Sequence, residues 1–247
     1  MKSSTVVLII GGLLVLLAGL LSTFLLPKPI GSIILVMTMV LYFIVFIWVG
    51  SKEEKERTKQ LTVVAEKLNF LFFPEGDDSI IDGLNQFYLF SQGHSKDISN
   101  MLHGETNGVE LAVFDYSFEC GSGEKSNIAI QNVIYFRSAK LNLPQFALRP
   151  ENVFHKIGGV FGYQDIDFET HPQFSQTYLL RGNDEPGIRV LFNNELLTFF
   201  ESQQKIGVEG GDDQLVIYRF NKKIKPDEVE QFMQEGLKVF DQFCRSA

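Results

Sequence analysis

Two long apolar runs, Thr5 to Leu26 and Ile30 to Gly50, fill the N-terminal fifth of the chain. Tyr42 is the only ionisable side chain in either. At about 1.5 Å of rise per residue, each run reaches roughly 30 Å, the thickness of a bilayer's hydrocarbon core. A helix satisfies its own backbone hydrogen bonds, which lipid cannot do, so both runs are expected to be transmembrane helices. Pro27-Lys28-Pro29 separates them. So short a connection forces an antiparallel hairpin, and the prolines break the helix there. A cleaved leader over residues 1–26 fits less well. The run is long for one, no A-x-A site or lipobox cysteine follows, and a second span comes at once. Gly11, Gly12, Ala18, Gly19 and Ser22 give the first helix a small-residue face, expected to pack against the second.

After Gly50 the pattern turns amphipathic. Leu61, Val64, Ala65 and Leu68 recur at helical spacing, which predicts a connecting helix over residues 51–69. From Phe70 the period becomes two. Phe87 to Phe90 reads as a short strand and Val109 to Glu119 as a longer one. Within the longer one, Val109, Leu111 and Val113 share a face before Phe114, Tyr116 and Phe118 take over, which predicts a β-bulge near Val113. Ile128, Ile130, Ile134 and Phe136 alternate in the next strand, and Cys120-Gly121-Ser122-Gly123 is a turn signal joining the two as a hairpin. Tyr178 to Leu180, Ile188 to Phe192 and Leu215 to Phe220 read as further strands.

Asn194 to Gln203 reads as a helix with Leu196, Leu197 and Phe200 inward. A last helix starts at Pro226, with Asp227 and Glu228 complementing its dipole. Its Val229, Phe232, Met233, Leu237, Phe240, Phe243 and Cys244 form one apolar stripe. Between Leu141 and Ser175, Pro144, Pro150, Pro172 and Gly158-Gly159 predict long connections. The expected fold class is α+β. A two-helix transmembrane hairpin (1–50) and the connecting helix (51–69) precede a domain of mainly antiparallel sheet with a packed C-terminal helix (70–247).

Charge is divided the same way. Of 22 Lys and Arg only Lys2 and Lys28 fall within residues 1–50, leaving 20 against 30 acidic residues beyond, a net of −10. Lys52, Lys55, Arg57, Lys59 and Lys67 follow the second span, whereas the connection between spans offers Lys28 alone. By the positive-inside rule both termini are expected in the cytoplasm, in a cell inner or plasma membrane. Trp48, with Tyr42, Phe43 and Phe46, suits an aromatic belt at that interface. An acidic domain without a basic, aromatic-interleaved stripe excludes nucleic acid as a partner. The expected partners are the lipid bilayer and an unidentified protein or small ligand. Two spans without a charge argue against a transport path of their own.

Phe114-Asp115-Tyr116, Leu143-Pro144, Phe146-Ala147-Leu148-Arg149-Pro150-Glu151, Phe174-Ser175, Tyr178-Leu179-Leu180-Arg181-Gly182, Asp184-Glu185 and Arg189 carry a resemblance. Over roughly residues 60–200 the chain resembles a family of uncharacterised bacterial membrane proteins. These have N-terminal spans and a cytoplasmic domain of unknown function. The resemblance implies that topology and no activity.

Motifs for chemistry are sparse. Cys120-Gly121-Ser122-Gly123 has no histidine within ten residues to activate the thiol. Gly121-Ser122-Gly123-Glu124-Lys125-Ser126 lacks the spacing of a phosphate loop, and Gly207-Val208-Glu209-Gly210-Gly211 lacks that of a dinucleotide fingerprint. His94, His103, His155 and His171 form no local pair, and they read as solvent-facing loop residues. His155 and His171 flank Asp165 and Asp167, without the paired spacing of a metal site. The richest polar set is Asp115, Arg149, Glu151, Asp165, Asp167, Arg181, Asp184, Glu185 and Arg189. In one cleft it would suit acid–base chemistry on an anionic substrate; scattered, it is a salt-bridge network. No catalytic residue, metal ligand or cofactor is assigned. The expected function is a membrane-tethered cytoplasmic binding or interaction module. The alternative is a membrane-bound hydrolase using the acidic and Arg set.

Overall fold

The computed structural model describes residues 3–121, 126–151, 165–203, 206–220 and 222–246. The chain divides into two compact units, Met1–Lys59 and Gln60–Ala247.

The first unit holds helix α1 (Ser3–Leu25) and most of α2 (Lys28–Leu68). The break falls at the expected prolines, and α2 then runs 41 residues without interruption, so the connecting helix continues the second apolar run. Pro29–Leu68 is long and apolar enough to cross a membrane by length and composition. Its apolar side chains are largely uncovered, Leu41, Phe43 and Trp48 among them. The two helices meet through small residues. A Cβ at Gly31 would lie 2.6 Å from the Ser22 carbonyl oxygen, and Cβ atoms at Gly12 and Gly19 would meet Tyr42 and Leu35. Gly11, expected on the same face, has open space around it.

The second unit is α+β. Its eight strands are β1 (Leu71–Phe73), β2 (His94–Thr106), β3 (Val109–Cys120), β4 (Asn127–Arg137), β5 (Leu143–Pro150), β6 (Tyr178–Gly182), β7 (Gly207–Asp212) and β8 (Gln214–Arg219). They form one sheet in the order β1-β2-β3-β4-β8-β7-β5-β6, and all neighbouring pairs are antiparallel.

Helices cover both faces, and that explains the first correction. On β3 the residues Val109, Leu111 and Val113 enter one core, while Ala112, Phe114, Tyr116 and Phe118 enter the other. The β3–β4 register is continuous from Glu110↔Arg137 to Cys120↔Asn127, so β3 itself carries no extra residue near Val113, although Val113 pairs with Leu102 at the edge of a register shift in β2. A strand buried on both faces simply carries apolar residues at successive positions. The register shifts lie in the partner β2, between His94 and Asp97 and between Ser99 and Leu102.

One face is covered by the end of α2 (Leu61, Ala65), α5 (Pro172–Thr177), α6 (Glu185–Leu191), α7 (Asn194–Ser202) and α8 (Val229–Ser246). The stripe Val229, Phe232, Met233, Phe240 and Phe243 of α8 is buried there as expected. Phe174, Phe192, Phe200 and Phe243 pack ring against ring at its centre. The other face is covered by two short helices, α3 (Asp78–Leu84) and α4 (Tyr88–Ser91), through Ile80, Leu84, Phe87, Leu89 and Phe90.

Three expected elements differ. Phe87 to Phe90 is the entry and body of α4, not a strand. Ile188 to Phe192 lies in and just after α6, capped by Asp184, whose carboxylate accepts from the Gly187 N–H at 3.1 Å. Both runs are too short for periodicity to distinguish the two states. Leu143 to Pro150, expected as connection, is an inner strand. Pro144 sits within the register shift between Leu143 and Phe146, where a missing N–H is tolerated. The part of the β3–β4 turn beyond Gly121, His155 and Gly158-Gly159 lie outside the described residues.

Candidate functional site

Alternation along β5, β7 and β8 brings Arg149, Glu209 and Tyr218 to the face under α3 and α4. Ala147 is opposite both Glu209 and Arg181, which sets Arg181 of the edge strand β6 on the same row. Gly207 is opposite Tyr218, and a Cβ there would stand 2.5 Å from the tyrosine ring. Glycine at that position is what lets the ring lie across β7 beside Glu209.

Glu209 is 1% exposed and Arg149 6%. The Arg149 Nη2 donates to Glu209 Oε1 at 2.8 Å, and the Tyr218 hydroxyl donates to the same oxygen at 2.6 Å. The Leu89 N–H of α4 donates to both carboxylate oxygens at 3.1 Å. The Arg149 guanidinium lies 3.9 Å from the centre of the Tyr88 ring. A buried charge is tolerated only when paired and hydrogen-bonded, and Glu209 has three donors. Burial opposes the Arg149 charge, but the surroundings, the hydrogen-bonded Glu209 carboxylate among them, hold the guanidinium above its ordinary pKa. Burial also pushes the Tyr218 hydroxyl well above its ordinary value, so it stays a donor. The network fastens α4 to the sheet.

Beside it opens a pocket of about 210 Å³, lined by Asn85, Gln86, Tyr88, Gln145, Arg181 and Asn183 among others, with Glu209 at its inner wall. Gln145 Nε2 donates to the Gln86 carbonyl at 3.0 Å, joining the α3–α4 connection to β5 across one side. A second hollow of about 160 Å³ lies between β8 and α8, over Ile217, Phe232 and Val239.

The polar set expected from the sequence does not converge. Arg181 lines the first pocket, and Arg149 lies behind it, paired with the lining Glu209. Asp115 is buried on the opposite face, where Asn100 and Asn132 donate to it and Lys223 approaches to 3.7 Å. Asp165 accepts from the Leu180 N–H at 2.9 Å; burial raises its pKa, opposed by that hydrogen bond and by Arg181. Asp184 caps α6, and Glu185 pairs with Arg189 at 2.8 Å on its surface. Arg189 also donates to the Asp167 carbonyl. Glu151 is exposed.

The histidines divide. His171 precedes α5, and its ring meets Thr170. His103 is no loop residue: it sits on β2, with Nδ1 3.2 Å from Asp77 Oδ2 and Nε2 3.0 Å from Glu110 Oε1. Burial raises the pKa of both Cys120 and Cys244 thiols, the opposite of what a nucleophile needs. No group of three or more His, Cys, Asp or Glu that could hold a metal occurs among the described residues. Sequence reasoning missed Glu209, because its glycine neighbours were weighed only as a failed dinucleotide fingerprint. Its only signal was a lone carboxylate within a short strand.

No protein-family model matches the chain, and no curated protein matches it. A crystal structure of the mycobacterial trehalose monomycolate transport factor A, TtfA, matches with a TM-score of 0.51 and 13% identity. The match covers 76% of this chain and 92% of that one. At that identity the likeness is one of fold.

Proposed function

We propose that the chain is a membrane-tethered binding module. In this reading α1 and the apolar part of α2 cross the bilayer as an antiparallel hairpin, with both termini and the eight-stranded domain in the cytoplasm. The resemblance to bacterial membrane proteins with a cytoplasmic domain of unknown function belongs to the same proposal. The observation that carries it is α2 itself, whose uncovered apolar stretch continues, as one helix, into the first core residues of a folded domain. The pocket beside Arg149 and Glu209 is the place this module would receive a small ligand.

The hydrolase alternative draws less support. It needs the acidic and Arg set in one cleft, and Asp115, Asp165, Asp167 and Asp184 are not among the residues that line the pocket. Green fluorescent protein and alkaline phosphatase fused in turn after Ala247 test the topology. Fluorescence with an inactive phosphatase is expected. An active phosphatase there overturns the cytoplasmic placement.

A further inference from the structure

Resting on the binding-module reading, we infer that the pocket beside Glu209 takes a neutral, hydroxyl-rich ligand about the size of one sugar ring. Charge is the first argument. The two charged residues that line the pocket, Glu209 and Arg181, are of opposite sign, and Glu209 is already paired with Arg149 at 2.8 Å. A ligand with net charge would leave that charge desolvated without a counter-charge of its own, a cost that an uncharged ligand avoids.

Hydrogen-bonding character is the second. Asn85, Gln86, Gln145 and Asn183 each carry an amide that both donates and accepts, and Ser91 adds a hydroxyl. A phosphate or carboxylate calls for donors alone. A ring of hydroxyl groups, each donor and acceptor at once, matches a mixed wall. Arg181 adds donors, and Glu209 adds acceptor capacity at Oε2, which among the described residues accepts from the Leu89 N–H alone.

Shape is the third. Tyr88 is half-buried, and Arg149 holds its ring in place from one side. An aromatic surface next to a polar rim suits a ring with an apolar C–H face and an equatorial hydroxyl edge. The volume of about 210 Å³ admits one such ring.

Saturation-transfer difference NMR on the full chain in nanodiscs tests this with three probes that share one ring: glucose, glucuronate and glucosamine. Glucose is expected to show saturation transfer with a millimolar Kd, and the two charged rings at least tenfold weaker binding. Tyr88→Ala should abolish the glucose signal, and Asn183→Ala should weaken it about fivefold. Asn183 is exposed, so its loss leaves the fold in place when the Tyr88 variant does not. Tighter binding of glucuronate or glucosamine overturns the neutral-ligand inference and leaves the module reading standing. Absence of binding by all three overturns the hydroxyl-rich class. Failure of the module reading is seen separately, in the fusion topology.

Discussion

The two faces of the eight-stranded sheet are closed by different means. One lies under α5 to α8 and has an aromatic centre, where Phe200 meets Phe174, Tyr178, Phe192 and Phe243 at 5.7 to 6.5 Å between ring centres. Its buried polar groups, Asp115 and Asn132, bond to each other, and Asn132 also accepts from the Ile224 N–H. The other face lies under α3 and α4, only seven and four residues long. There the cover is fastened by a buried ion pair. Beneath it the Tyr116 and Tyr135 hydroxyls and both amide atoms of Gln131 have no hydrogen-bond partner among the described residues. Burial pushes the Tyr135 hydroxyl up to about 12 and the Tyr116 hydroxyl higher still, so both stay protonated. A face that keeps polar groups in its interior and a light cover above them is where a binding site is expected; a face sealed by rings is scaffold.

The largest effect should come from the sealed face. Phe200→Ala removes a fully buried ring from the centre of the cluster, at a cost of about 4 kcal/mol. Denaturant unfolding of the full chain in detergent, followed by near-UV circular dichroism, measures it. A loss below about 1 kcal/mol would mean that the aromatic cluster is not what closes this face.

On the polar face, Arg149→Met leaves Glu209 buried beside an uncharged side chain, at about 3 kcal/mol. The double variant Arg149→Met, Glu209→Leu removes both charges and should be less destabilised than Arg149→Met alone. Recovery will be partial, because the Leu89 N–H and the Tyr218 hydroxyl lose their acceptor. Additive losses in the double variant would show that the two side chains act independently and that α4 is held by packing alone.

The sequence disclosed the two faces unequally. The α8 stripe and the inward Leu196, Leu197 and Phe200 of α7 could be read directly, because an amphipathic helical period is its own evidence. The apolar runs of residues 1–50 were equally plain. What stayed hidden depends on pairing between distant strands. Arg149 and Glu209 are 60 residues apart, and only the β5–β7 register shows that they meet. Short runs such as Phe87 to Phe90 fit a strand or a helical turn alike, and the sheet beneath decides between them. That is why the short helices α4 on the polar face and α6 on the sealed face were both read as strands, while the longer α7 and α8 were not.

The last contrast is between two Arg–carboxylate pairs, of which the sequence put both arginines and Glu185 in one set and left out Glu209. Arg149–Glu209 and Arg189–Glu185 have the same separation of 2.8 Å. One is buried; in the other both side chains are about half exposed, one helical turn apart on α6. In water the second gains little Coulomb energy and still orders two long side chains. Glu185→Gln should therefore cost about 0.3 kcal/mol, roughly a tenth of the Arg149→Met loss. Arg189 keeps its bond to the Asp167 carbonyl and its place 5.2 Å from the centre of the Phe168 ring, and neither needs Glu185. Unfolding of Glu185→Gln at low and high salt measures this: a small loss that disappears with salt is the behaviour of an exposed pair. A loss above 1 kcal/mol that persists in high salt would place Glu185 in a buried network, and burial would then no longer be what separates the two pairs.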